Sequence, residues 1–249
     1  MSAAVTAGRR VLPRGYVDLL RQAAIWFGFL FAYQFARGIA DRDPSKAFVN
    51  GWRVLDLEQR VTHHVFELTL QQVADSSEFL KSLVAWTYWN SEFTVVGLAL
   101  LWVYLWRNDA FIRFRNTILL ANVLGLIGYI LLPTAPPRMF PSLGFLDTLD
   151  SFGGLNHGSG IVSVAANPYA AMPSLHAADA LIVGIVLATV TRRRWAQALW
   201  LLWPAWVWFA VMATGNHFWL DVLAGILVAT VAMAVVYRPP ARRAIARLL

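Results

Sequence analysis

His217 and Asp221 stand four residues apart in "TGNHFWLDVLAGILVA", a spacing that puts both on one helix face with Cβ atoms about 5–6 Å apart. A carboxylate so placed can accept the Nδ1 proton of the imidazole and leave Nε2 as a directed nucleophile. A second histidine, His176, opens the mostly apolar run of "AAMPSLHAADALIVG", two residues behind Ser174, and "LLPTAPPRMF" delivers Arg138 at the end of another run. Two imidazoles, a carboxylate and a guanidinium suit phosphoryl transfer. His217 would attack phosphorus and form a phosphohistidine, His176 would protonate the departing oxygen, and Arg138 would offset charge on the equatorial oxygens. Ser174, at a helix start, adds a hydroxyl and backbone amides aimed at the anion. Two His and one Asp can also ligate zinc or iron, but they lack a spacing such as H-E-x-x-H. No metal and no cofactor are therefore assigned.

The elements that must position these residues follow from composition. Of 249 residues, 58% are hydrophobic and 14% charged, with 12 Trp and a mean hydropathy of +0.54. That is too apolar for an ordinary soluble domain and points to a membrane solvent. There is no cysteine, so disulfides and thiolate metal sites are excluded. The net charge of +7 does not argue for nucleic acid, because the basic residues lie in short clusters between apolar runs. A spanning helix needs about 20 apolar residues. Six segments approach this, at 20–38, 82–106, 117–133, 175–190, 198–213 and 219–237. With a cytoplasmic N-terminus, 14 of the 21 Lys and Arg fall on inner segments, which satisfies the positive-inside rule and places both termini in the cytoplasm. No small-residue cleavage pattern follows the first run, so it reads as an uncleaved helix of an inner-membrane protein.

Two outer segments are long. Residues 41–81 carry Phe48, Trp52, Val54, Leu55, Leu57, Val61, Val65 and Leu68 at mixed three and four spacing with charges between, the pattern of amphipathic helices lying on the outer interface. Residues 134–172 are rich in Pro, Gly and Asn and long for a loop, as expected of a segment that caps a site. No composition shift marks a second domain. The expected architecture is all-α: one membrane-embedded domain over 1–249, with six transmembrane helices, outer interfacial helices, and short cytoplasmic tails at 1–19 and 238–249. In this topology the fourth and sixth runs both begin on the outer side, so His176, His217 and Asp221 lie at similar depth and can meet.

"PSLH" at 173–176 and "HFWLD" at 217–221 resemble the second and third signatures of the type 2 phosphatidic acid phosphatase superfamily, whose usual forms are PSGH and SR-x5-H-x3-D. "PTAPPR", "NPYAAMPSLH" and "TGNHFWLD" are most similar to its inositol phosphorylceramide synthase-like branch, over about residues 33–227. The resemblance implies a metal-independent reaction with His217 as nucleophile, Asp221 as its orienting partner, His176 as acid and base, and Ser174 and Arg138 as phosphate ligands. Three positions depart from the family pattern. Leu131 stands where the first signature has Lys, Met139 where it has Pro, and Val211 where the third has Arg. Arg37, near the outer end of the first run, is the candidate replacement cation. His often stands in this branch where "YWNSEF" has Glu92.

Asn90 and Glu92 lie inside the second run, where an ionisable group usually faces a polar cavity, and both are assigned to the substrate pocket. Asn216 is expected to cap the sixth run and Gly225 to permit close helix packing. His63, His64 and His157 read as surface or interface residues. The expected function is a lipid phosphatase or phosphotransferase whose site faces the extracytoplasmic side, with a membrane lipid as substrate and water or an alcohol as acceptor. Head-group transfer from a phosphatidylinositol-type donor is the alternative. A non-catalytic lipid-binding relative or transporter is the second, although no inverted repeat is visible.

Overall fold

The computed structural model describes residues 12–39, 43–149 and 167–238. Their regular structure is helical: α1 Gly15–Ile39, α2 Pro44–Thr62, α3 Phe66–Asp75, α4 Glu78–Ser91, α5 Thr94–Trp106, α6 Asn108–Leu131, α7 Leu175–Val190, α8 Arg194–Ala213 and α9 Trp219–Val236. Short 3-10 turns at Pro137–Met139 and Pro141–Leu143 follow α6. One isolated bridge joins Thr134 to Ala170 and ties together the two described ends of the 134–172 segment. Residues 150–166 of that segment, with His157, lie outside the described residues, as do the tails 1–11 and 239–249.

α7 is the centre. Its sequence, LHAADALIVGIVLATV, is small or apolar on nearly every face, and twelve of its sixteen residues are buried. A helix of that kind must be surrounded, and α8, α9 and α6 pack along it. Gly225 of α9 makes the closest of these approaches possible, since a Cβ there would lie 2.2 Å from the Ser174 carbonyl oxygen. That contact brings the start of α9 against the start of α7, where both histidines sit.

Among the described residues three helices, α6, α8 and α9, are long and apolar enough to cross a membrane by length and composition. α5 and α7 are apolar but shorter, at 13 and 16 residues. The second run differs from its expected form: 82–106 is not one helix but two, α4 and α5, with the break at Glu92 and Phe93. A carboxylate is costly inside hydrocarbon, and the break turns Glu92 inward, where it is 6% exposed.

The segment 41–81, expected to form amphipathic helices, carries α2 and α3 and runs into the start of α4. Asp43 caps α2, its carboxylate accepting from the Ser45 N–H at 2.9 Å, and Pro44 fills the first helical position, where no N–H is needed. The buried face of α2 is Ala47, Gly51, Val54, Leu55 and Glu58. Its apolar members pack against Phe140, Phe145 and Phe218. A Cβ on Gly51 would stand 2.7 Å from the Phe140 ring, so glycine sets how near α2 comes. Burial of Phe218 alone contributes roughly 1.5–3 kcal/mol and fixes the residue next to His217.

Candidate active site

His176 lies in the first turn of α7 and His217 two residues before α9. Their rings are 5.7 Å apart, centroid to centroid. The Nδ1 of His217 is 2.9 Å from the carbonyl oxygen of Ala171 and 3.5 Å from Oδ2 of Asp221. A carbonyl can only accept, so Nδ1 carries the proton, and in the neutral imidazole Nε2 is the unprotonated nitrogen. The nearest orienting acceptor is therefore a backbone carbonyl, where the spacing alone pointed to Asp221. Asp221 is fully buried, and its Oδ2 accepts from the Phe218 N–H at 2.8 Å. It caps the helix and sets a carboxyl group beside the imidazole.

His176 has its own carboxylate. Its Nε2 is 3.4 Å from Oε2 of Glu92, and Tyr88, one turn earlier on α4, stacks on its ring at 4.5 Å. Asp179, one turn further along α7, is buried and receives Asn122 Nδ2 on both oxygens, at 3.2 and 3.1 Å. An aspartate inside an apolar run is itself a signal of a polar cavity, and it was legible in "LHAAD".

The other assigned residues divide. Arg138 is held at the same rim: its N–H donates to the Gly215 carbonyl at 2.8 Å and Nη1 to Asn216 Oδ1 at 2.5 Å, while Nε lies 3.4 Å from Asp147. Asn216 therefore positions Arg138 and does not cap α9, contrary to expectation; its Nδ2 donates to Thr214. Ser174 is the N-cap of α7, with Oγ accepting from Ala177 N–H at 3.3 Å, and its own N–H donates to the Asp221 carbonyl at 2.9 Å. Asn90 donates to the Trp86 carbonyl one turn back at 2.9 Å. Arg37 falls near the end of α1, and its side chain lies outside the described residues. Among the described residues no three His, Cys, Asp or Glu converge as a metal site would require.

Like Asp179, two further acidic residues escaped the sequence reading. Glu67 Oε1 accepts from Trp219 N–H at 2.7 Å and Glu58 Oε1 from Leu220 N–H at 2.8 Å. With Asp221 on Phe218, three successive N–H groups at the start of α9 each meet an oxygen of a different buried carboxyl group, which satisfies donors that have no partner within the helix. The charges of α2 and α3 were expected on their wet faces; these two point inward. Burial, with the Glu67 carboxylate alongside, pushes the Glu58 carboxyl up to about 9 from 4.5. A neutral Glu58 holds a proton that the unfolded chain has lost. Its contribution is complete below about pH 4.5 and drains away as pH rises through about 9. Glu58→Gln keeps an acceptor without ionising, so its melting temperature should fall several degrees less than the parent's across that window. Parallel decline of the two melting curves would show that Glu58 is already ionised in the folded protein.

A family model for the PAP2 superfamily matches residues 52–235. The chain belongs to that superfamily. Within it, 129 residues are 34% identical to the phosphoinositol dihydroceramide synthase of Bacteroides thetaiotaomicron, covering 47% of this chain and 42% of that protein. The chain thus matches less than half the length of this curated relative. The crystal structure of Aquifex aeolicus LpxE superposes with a TM-score of 0.51 at 17% identity, over 68% of this chain and 93% of that one, a likeness of fold.

Proposed function

We propose that the protein is a six-pass membrane enzyme that cleaves a lipid phosphoester through His217 and passes the phosphoryl or head group to water or an alcohol. The observation that carries this is the pair of imidazoles 5.7 Å apart, one donating its Nδ1–H to the Ala171 carbonyl and the other beside Glu92. In the first step the Nε2 lone pair of His217 forms the N–P bond as the P–O bond to the leaving group breaks, and the leaving oxygen takes the proton of His176. In the second, the acceptor hydroxyl returns a proton to His176, attacks phosphorus and breaks the N–P bond. Asp221 and the Ala171 carbonyl face the ring while it carries the cationic phospho-imidazolium. Arg138 and the remaining O–H of Ser174 serve the equatorial oxygens, with Arg37 as the replacement for the missing signature cations. The site faces the extracytoplasmic side, both termini are cytoplasmic, and the whole chain works as one domain. Needing neither metal nor cofactor, the reaction should survive a chelator.

Head-group transfer is favoured as a second reading by the name of the 34% identical relative. It would use a phosphatidylinositol-type donor and a lipid alcohol acceptor. Phosphate release from a panel of lipid phosphates, with chelator present, tests the hydrolase; inositol-type donors with alcohol acceptors test the transferase. Failure of both panels would leave a lipid-binding relative. Arg138→Ala, which removes a buried guanidinium, is expected to raise KM about tenfold or more, in line with a charged hydrogen bond of about 1.5–3 kcal/mol. An unchanged KM would remove Arg138 from the phosphate site.

A further inference from the structure

α2 meets the flank of α9 across a groove of about 670 Å³ that is open along one side. Leu220, Leu223, Ala224, Leu227 and Thr230, at helical spacing on one face, form its α9 wall together with Ile226, and Leu223 and Leu227 are more than half exposed. From Leu220 to Thr230 the helix rises about 15 Å at 1.5 Å per residue, half the roughly 30 Å hydrocarbon thickness of a bilayer. At the Leu220 end stand Asn50 and Arg53, which also line a second, more polar cavity of about 550 Å³ with Ser45 and Lys46. Lys46, Asn50 and Arg53 follow at i, i+4 and i+7 on one face of α2, and Asn50 is fixed by its bond to the Pro133 carbonyl at 2.8 Å. Arg53 makes no ion pair or hydrogen bond among the described residues.

The arrangement is thus an apolar channel one leaflet long, with Arg53 at its polar end and Lys46 in the adjoining polar cavity. A groove of similar size, about 620 Å³, runs between α5, α7 and α8, but its lining carries no basic residue. Hydrophobic exposure alone does not separate the two; charge does. The first also adjoins the candidate active site: Met172 and Leu220 line it, and they neighbour Ala171, which holds the His217 ring, and Asp221.

We infer that this groove binds one anionic phospholipid of the outer leaflet, its phosphate at Lys46 and Arg53 and one acyl chain along α9. It is a docking station for the anionic lipid donor, beside the nucleophile and separate from Arg138. The leaflet and the donor's identity rest on the proposed function; occupancy itself does not depend on turnover. The test is photocrosslinking in full-length protein, held in phosphatidylcholine nanodiscs, with phosphatidic acid bearing a diazirine in one acyl chain. Photoreactive phosphatidylcholine serves as the control. Crosslinks are expected in the peptide spanning 220–230, with phosphatidic acid well above phosphatidylcholine. Lys46→Glu with Arg53→Glu should lower the phosphatidic acid yield about tenfold or more, since each basic residue near an anionic surface is worth about 1 kcal/mol, and leave phosphatidylcholine unchanged. Leu223→Trp, which fills the channel from an exposed position, should lower both. Equal yields from the two lipids, or anionic crosslinks that survive charge reversal, would reduce the groove to ordinary lipid-facing surface. Wild-type turnover accompanied by either of those results would defeat the docking site and leave the proposed chemistry standing.

Discussion

His217→Ala is expected to leave a folded protein that still takes up lipid and has lost turnover by about 10⁴-fold or more, the scale seen when a covalent nucleophile is removed. The ring is 4% exposed and bonded through Nδ1 to Ala171, so a melting curve must accompany the assay. The companion change Asp221→Asn separates two accounts of how the ring is held. Where a carboxylate alone fixes the tautomer, losing its charge costs about 10⁴ in kcat. Here the Ala171 carbonyl at 2.9 Å keeps the proton on Nδ1 while Asp221 stands at 3.5 Å, and Asn can still accept from Phe218. The loss should be nearer ten- to a hundredfold, the remainder due to charge facing the phospho-imidazolium. A loss in Asp221→Asn as large as in His217→Ala would show that the carbonyl does not set the tautomer.

His176→Ala carries the second large effect, a fall in kcat of about 10²–10⁴, the usual contribution of a positioned acid and base. Its signature is selective. An acid that protonates a departing alkoxide matters little when the leaving group is already a stable anion, so a nitrophenyl phosphate ester should be affected far less than a lipid ester. Glu92→Gln keeps the shape of the contact at 3.4 Å but removes the counter-charge to the imidazolium. It should reproduce the same selectivity at smaller amplitude, about tenfold. Equal losses on good and poor leaving groups would assign His176 to binding.

Much of this geometry was legible because topology does the work of distance. Apolar runs of known direction put the starts of α7 and α9 at one level, and the i, i+4 spacing then brings Asp221 under His217. What could not be read was anything held by backbone or by a break in a run. The Ala171 carbonyl has no side-chain signal. The interruption at Glu92 is hidden in an apolar stretch that passes the length test for a single helix. Glu58 and Glu67 sit in segments whose charges alternate with apolar residues, and an amphipathic pattern assigns every charge to water; only the packed structure shows which two turn in to meet the N–H groups of Trp219 and Leu220. Asn216 was given to the wrong partner for a similar reason, since a helix start invites a cap and Asp221 already provides one from inside the first turn.

A covalent intermediate on His217 can be trapped. Protein mixed with lipid substrate labelled in the phosphoryl or head group is quenched in alkali, which spares phosphohistidine, then digested and mapped by mass. An acid-labile, base-stable adduct is expected on the peptide carrying His217, absent from His217→Ala and insensitive to chelator. Turnover with no adduct on His217, or an active His217→Ala protein, would contradict the covalent route.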